Sequence, residues 1–117
     1  MENYCRQLIP AGRRVLEIGC AEGDLLAAVE PSFGVGLDIS PEAVKMASRK
    51  NPGLRFVAGY AEHLPLEGPF DYIIISDVIG LLDDVQRAFE QLRGVMHSET
   101  RVIITYYNFL WEPIVKL

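Results

Sequence analysis

Short apolar runs alternate along the chain with segments in which apolar residues recur every three or four positions. The runs at 15–18, 33–37, 54–58, 72–75 and 101–106 predict β-strands. Apolar positions at helical spacing predict helices from about Asp24 to Glu30, from Ser40 to about residue 51, and over the segment that carries Val85, Ala88, Phe89, Leu92 and Val95. Residues 108–117 are predicted to begin a further helix.

The alternation of strands and helices indicates the fold class. Strands joined by helical crossovers predict βαβ units, so we expect an α/β, Rossmann-like, doubly wound sheet that is mainly parallel. The expected strand order is 3-2-1-4-5, which is one of the orders that such sheets adopt. The run Tyr72–Ile75 is apolar on both faces, which is typical of a central strand covered on both sides. The carboxyl ends of parallel strands share one edge, where ligands bind, and this edge is predicted to carry Gly19, Asp38, Tyr60, Ser76 and Tyr107.

The turn after the first predicted strand carries the candidate ligand site. Gly19 ends that strand, and a glycine there permits a tight turn and a close approach of ligand to backbone. The next helix begins at Gly23 or Asp24. Asp38 ends the second strand, where a carboxylate can accept hydrogen bonds from both hydroxyls of a ribose. This combination predicts a ligand that contains adenosine.

The spacing within Gly19–Gly23 distinguishes between adenosine ligands. A dinucleotide motif has the pattern G-x-G-x-x-G around a pyrophosphate. Here Ala21 replaces a glycine, and Glu22 and Asp24 lie alongside, where their charges would repel a pyrophosphate. Glu17 adds another acceptor, which suits a ligand with an amino group. We therefore expect a sulfonium ligand rather than a nicotinamide dinucleotide.

Composition and charge narrow the function further. The chain has 117 residues, enough for one domain, and a net charge of −5, which disfavours nucleic acid as a partner. Cys5 and Cys20 have no metal-ligand spacing, so we predict free thiols, a reducing cytoplasm and no metal. No signal peptide or apolar run of membrane-spanning length is present in the sequence, and no membrane association is predicted.

Four stretches resemble the motifs of class I S-adenosylmethionine-dependent methyltransferases of the small-molecule type. They are VLEIGCAEG at 15–23, GVGLDISP at 34–41, GYAEHLPL at 59–66 and FDYIIISD at 70–77. The resemblance runs in order from about Gly12 to Tyr106. It implies that S-adenosylmethionine is the cofactor, that S-adenosylhomocysteine is the product, and that the methyl acceptor is an unidentified small molecule.

The resemblance also implies which residues hold the cofactor. Those of the first motif, around the methionine part, are Glu17, Gly19, Cys20, Ala21 and Gly23. Those of the ribose and adenine parts are Asp38, Ile39, Tyr60, Ala61 and Glu62. Ser76 would offer its backbone carbonyl to the amino group. Two residues depart from the family pattern: Ala21 replaces the middle glycine, and Tyr60 replaces an aspartate, so stacking on adenine would replace a polar contact.

No catalytic residue is predicted. Methyl transfer from a sulfonium depends largely on positioning, although a hydroxyl acceptor would need a base. His63 is interpreted as a solvated loop residue, and His97 is expected at the opposite edge of the sheet. Asp77 could accept a proton or cap the following turn. Residues 106–108 could contact substrate or pack beneath a lid.

The family resemblance implies a further helix and an antiparallel hairpin after the fifth strand, whereas the sequence stops at Leu117. We therefore expect a partial domain, truncated after the fifth strand, with the C-terminal hairpin missing. The apolar C-terminal segment and an open fifth-strand edge predict a homodimer. Two functions stay open: a methyltransferase, and a cofactor-binding module without independent activity.

Overall fold

The computed structural model describes residues 2–76, 84–106 and 109–115, with side chains at 5–76 and 84–105. The secondary structure elements are α1 (Glu2–Leu8), β1 (Arg14–Ile18), α2 (Asp24–Ala28), β2 (Phe33–Asp38), α3 (Pro41–Lys50), β3 (Arg55–Ala58), a 3₁₀ turn (Ala61–His63), β4 (Phe70–Ile75), α4 (Val85–Arg93), β5 (Met96–Tyr106) and β6 (Phe109–Val115). In this part of the chain, none of the helices has the length and apolar character that a bilayer crossing requires.

The strands form one sheet in the order β3-β2-β1-β4-β5-β6. All neighbours among the first five strands are parallel. The predicted Rossmann-like α/β fold and the order 3-2-1-4-5 are therefore confirmed. Because these five strands point the same way, their carboxyl ends meet at one edge, which we call the carboxyl edge.

The helix predicted for residues 108–117 is wrong. Residues 109–115 form β6, which pairs antiparallel with β5 from Tyr106↔Phe109 to Val102↔Val115. Pro113 would break a helix interior, and the β5 edge offers backbone hydrogen bonds that a strand can use. The expectation of an open fifth-strand edge is wrong for the same reason, since β6 covers that edge.

The sheet is buried on both faces. Successive residues of β1 and β4 point to opposite sides, so Leu16 and Ile73 enter one core while Val15 and Ile74 enter the other. The first core lies under α4, whose Ala88 and Leu92 are buried, and the second contains residues of α1 and α2, which are Cys5 and Leu26. This burial confirms the double-sided covering predicted from the apolar strand in β4.

A close approach between the first turn and β2 depends on Gly36. A Cβ atom added to Gly36 would lie 2.7 Å from the Phe56 ring and 2.8 Å from Cys20. Because Gly36 has no side chain, Cys20 packs directly on β2. This contact brings the turn after β1 next to Asp38, which ends β2.

Candidate functional site

The carboxyl edge contains a shallow cleft. Backbone hydrogen bonds join neighbouring strand ends there: the amide of Gly19 donates to Leu37 (2.7 Å), that of Gly59 to Asp38 (2.9 Å), and that of Ser76 to Ile18 (2.9 Å). The residues that line the cleft are Ile18, Gly19, Leu37, Asp38, Ile39, Gly59 and Ala61. The structure thus brings the first motif, the end of β2 and the loop after β3 together.

The Asp38 carboxylate is fixed in this cleft by two backbone amides. Oδ2 accepts a hydrogen bond from the amide of Ala21 at 2.9 Å, and Oδ1 accepts one from the amide of Ser40 at 3.0 Å. An ionised carboxylate offers about four acceptor positions. Each oxygen therefore keeps capacity for another donor, which suits the two hydroxyls of a ribose.

Ala21 holds a backbone conformation that favours glycine. Its φ is 48°, between Gly19 and Gly23 at 82° and 84°. A left-handed conformation costs a residue with a Cβ roughly 1–2 kcal/mol. The strain accompanies the hydrogen bond to Asp38, so the turn is shaped around that carboxylate even though the middle glycine is replaced.

The predicted binding residue Gly23 is buried on the packing side of the turn. A Cβ atom there would lie 2.7 Å from the Phe56 ring and 3.1 Å from Asn51. The absence of a side chain at Gly23 thus serves close packing of the turn against β3 and the end of α3.

Cys20 also turns its side chain inward. It is 4% exposed, and its backbone amide donates to Leu37 at 3.1 Å. Burial raises the pKa of its thiol to about 12, and the charges of Glu17 and Asp38 add to the rise. The thiol is therefore protonated at neutral pH, so it is a packing group rather than a nucleophile.

Glu17 lies beneath this turn with one carboxylate oxygen unpartnered. The side chain is 2% exposed, and Ser76 donates its hydroxyl to Oε2 at 2.9 Å. Oε1 has no hydrogen-bond partner among the described residues. Burial raises the pKa of Glu17 to about 8, against the opposing effects of the Ser76 hydroxyl and the Leu26 backbone. A buried orphaned acceptor is costly, and an ammonium donor would satisfy it.

The two acids beside the turn are neutralised in part by Lys50. Its ammonium group lies 3.0 Å from Glu22 and 2.8 Å from Asp24. All three side chains are well exposed, so the pairs are screened by water. Because Lys50 pairs with both acids, the negative charge beside the turn is smaller than the sequence indicated. These acids would therefore repel a pyrophosphate less than expected, so they exclude a dinucleotide less strongly.

The far wall of the cleft is the 3₁₀ turn and the residues that lead into it. Ala61 and Glu62 are buried, whereas Ile39 and Tyr60 are 42% and 54% exposed. The exposed side chains offer apolar surface beside the cleft, which suits a flat ring.

Helix α4 holds this wall in place, which was not predicted from the sequence. The guanidinium of Arg87 donates to the Glu62 backbone carbonyl at 3.2 Å, and Gln91 accepts a hydrogen bond from the Leu64 amide at 3.0 Å. These partners lie 25 and 27 positions apart in the chain. No local pattern reveals such contacts, because they depend on how the helix packs.

Neither candidate histidine lines the cleft, and the other candidate proton acceptors fall outside the residues whose side chains are described. His63 is exposed, with Nδ1 at 3.3 Å from an Arg87 nitrogen. His97 lies at the opposite edge, as predicted, with Nε2 at 2.8 Å from Asp71. Asp77, Tyr107 and Asn108 fall outside the described residues. Within the ranges described, no three His, Cys, Asp or Glu side chains form a metal-binding group.

Comparison with known proteins gives matches along most of the chain. A family model described as a methyltransferase domain matches residues 9–115. A phthiotriol/phenolphthiotriol dimycocerosates methyltransferase of Mycobacterium leprae is 38% identical over an alignment of 71 residues, with coverage of 55% of this chain and 26% of that protein. A demethylmenaquinone methyltransferase of Chlorobaculum tepidum is 30% identical over an alignment of 93 residues, with coverage of 77% of this chain and 36% of that protein.

The fold has equally clear counterparts among solved structures. The crystal structure of a TehB-like SAM-dependent methyltransferase from Corynebacterium glutamicum superposes with a TM-score of 0.78 at 22% identity, covering 90% of this chain and 60% of that one. At this identity the likeness shows a shared fold. The chain spans only 26% to 36% of the length of the two curated relatives.

Proposed function

Because the chain belongs to the methyltransferase domain family, whose model matches residues 9–115, we propose that it binds S-adenosylmethionine at the carboxyl edge and methylates a small molecule. The observation that carries this proposal is the Asp38 carboxylate, which two backbone amides fix in the cleft. The bound cofactor would supply an electrophilic methyl group on its sulfonium.

The described residues fit the chemical groups of this cofactor. We assign the ribose hydroxyls to Asp38, because both carboxylate oxygens retain acceptor capacity. We assign the ammonium group to Glu17 and the Ser76 backbone carbonyl, since Glu17 has an unpartnered buried oxygen. The adenine ring is assigned to Ile39 and to the wall that Tyr60, Ala61 and Glu62 form. The first turn would contact the methionine part through the backbones of Gly19, Cys20, Ala21 and Gly23.

The chain's own contribution to catalysis would be positioning. Binding energy at the ribose and the amino group orients the reactive carbon without any acid or base. We assign no catalytic base, and the acceptor is left as a small molecule. The two curated relatives are named for different acceptors, a phthiotriol derivative and demethylmenaquinone, so their names support the reaction type more than one acceptor.

The alternative, a cofactor-binding module without catalysis, gains no support over the methyltransferase from these comparisons. Activity of this short chain, a homodimer and a cytoplasmic location stay predictions. The homodimer prediction keeps its apolar C-terminal sequence as support, while its second argument, an open β5 edge, has been removed by β6.

Calorimetric titration tests the cofactor assignment. We expect S-adenosylhomocysteine to bind at one site and NAD not to bind. Asp38→Ala should weaken binding by at least about 10–100-fold, which corresponds to the loss of one hydrogen bond to a charged acceptor, worth about 1.5–3 kcal/mol. Glu42→Ala is the control, because it removes an exposed carboxylate from the first turn of α3. Binding of NAD alone would overturn the proposal.

A further inference from the structure

We propose that Arg87 and Gln91 of α4 are positioning residues for the cofactor. They hold the backbone of the segment Ala61–Leu64 in the shape that forms the adenine side of the cleft. The inference rests on the proposed function, because it concerns recognition at that same site.

The side chains of Arg87 and Gln91 contact three consecutive residues of this segment. The Arg87 Nε donates to the Glu62 carbonyl at 3.2 Å, and an Arg87 terminal nitrogen lies 3.3 Å from Nδ1 of His63. The Gln91 side-chain oxygen accepts a hydrogen bond from the Leu64 amide at 3.0 Å. Residues four apart lie on one face of a helix, so Arg87 and Gln91 form one support.

Helix α4, which carries Arg87 and Gln91, is itself held in place by its cap and by its buried residues. Asp84 caps α4, and its carboxylate accepts a hydrogen bond from the Arg87 amide at 3.0 Å. The next turns of the helix are fixed by Ala88 and Leu92, which are buried under the sheet. Burial of α4 therefore does not require Arg87 or Gln91, whose polar atoms are committed to the neighbouring loop instead.

The supported segment is also bonded through backbone amides at and just before its start. At its start, the Gly59 amide donates to Asp38 at 2.9 Å, and the His63 amide donates to Tyr60 at 3.1 Å. Ala61 lines the cleft, and Glu62 is the next residue along the chain. Because Ala61 and Glu62 are joined by one peptide bond, a displacement of the Glu62 carbonyl or the Leu64 amide also moves the wall at Ala61, where we place the adenine ring.

The Arg87 contact with Glu62 and the Gln91 contact with Leu64 both reach backbone atoms of the loop. They consequently set the path of the main chain and do not depend on which side chains the loop carries. A change at Arg87 or Gln91 should weaken the contact with the adenine ring, while leaving the ribose contact at Asp38 in place.

Two ligands and five proteins test the inference by calorimetry. The ligands are S-adenosylhomocysteine and S-ribosylhomocysteine, which lacks the adenine ring. The proteins are the wild type, Arg87→Met, Gln91→Met, Gln91→Glu and Arg93→Met. Gln91→Glu retains a side-chain oxygen acceptor for the Leu64 amide, and Arg93→Met removes an exposed guanidinium from the same helix without touching the loop.

We expect Arg87→Met and Gln91→Met to weaken the binding of S-adenosylhomocysteine by about tenfold and to leave the binding of S-ribosylhomocysteine unchanged. Gln91→Glu and Arg93→Met should match the wild type for both ligands. A merely structural role would weaken both ligands equally and lower the melting temperature, and that result would overturn the inference. Wild-type affinity in Arg87→Met and Gln91→Met would overturn it as well. A wild-type protein that binds neither ligand would instead overturn the proposed function.

Discussion

At the scale of single residues, the buried carboxyl group of Glu17 makes the stability of the protein depend on pH. Its carboxyl pKa rises from 4.5 to about 8 because the side chain is buried. Between those pH values the folded protein keeps a proton that the unfolded chain releases. The free energy of unfolding therefore falls as pH rises from 4.5 to about 8, at up to about 1.4 kcal/mol per pH unit.

Glu17→Gln should remove this pH dependence, because the amide cannot ionise and still offers an oxygen to the Ser76 hydroxyl. Denaturant unfolding of both proteins across this pH range measures the effect. We expect the variant to gain stability relative to the wild type as pH rises toward 8. A constant difference between the two proteins would show that Glu17 titrates at an ordinary value.

The motif after β1 indicates which residues lie near one another more reliably than it indicates where their side chains point. Asp38 follows from the sequence, because a carboxylate at the end of the second strand of a parallel sheet has to reach the carboxyl edge. Cys20 and Gly23 were predicted as binding residues from the motif, whereas their packing on Gly36 and Phe56 depends on contacts across the sheet. Such long-range packing leaves no local signal.

At the scale of elements, the approach of the first turn to β2 sets the shape of the cleft. Gly36→Ala would place a Cβ 2.7 Å from the Phe56 ring and 2.8 Å from Cys20, so one of these has to move. Overpacking of this kind costs typically about 1–3 kcal/mol.

We expect Gly36→Ala to lower the free energy of unfolding by that amount and to weaken S-adenosylhomocysteine, since the turn and Asp38 separate. Gly53→Ala is the matched control, because a Cβ there meets nothing within 4 Å. Denaturant unfolding and calorimetry on both variants give the comparison. Equal free energies of unfolding and equal affinities in the two variants would contradict the close packing of Gly36.

The C-terminal element shows why an apolar run alone is ambiguous. Residues 108–117 were predicted to begin a helix, and residues 109–115 form a strand. The parallel direction of the first five strands was predictable from the βαβ alternation. The pairing of β6 was not, because it depends on an edge of β5 that is created only when the sheet assembles.

At the scale of the whole molecule, β6 reverses the expected effect of shortening the chain. If residues 109–117 were an exposed dimer contact, a chain that ends at Tyr106 would be less associated. Because β6 covers β5, its removal should expose unpaired backbone groups and increase association.

Size-exclusion chromatography with light scattering on both chains at equal concentration measures this difference. We expect the shortened chain to form larger species than the 117-residue chain. A shortened chain that is monomeric, beside a dimeric full chain, would contradict the β5–β6 pairing and support the C-terminal segment as the dimer contact.

The central claim is that S-adenosylmethionine binds at the carboxyl edge, between the turn after β1 and Asp38. Its most direct test is a backbone amide resonance titration of the labelled protein with S-adenosylhomocysteine. We expect the largest shifts at Gly19, Ala21, Ser40, Gly59 and Ala61, since the amides of Ala21 and Ser40 bond Asp38 and the others line the cleft. Shifts confined to the opposite edge, around Asp71 and His97, would contradict it.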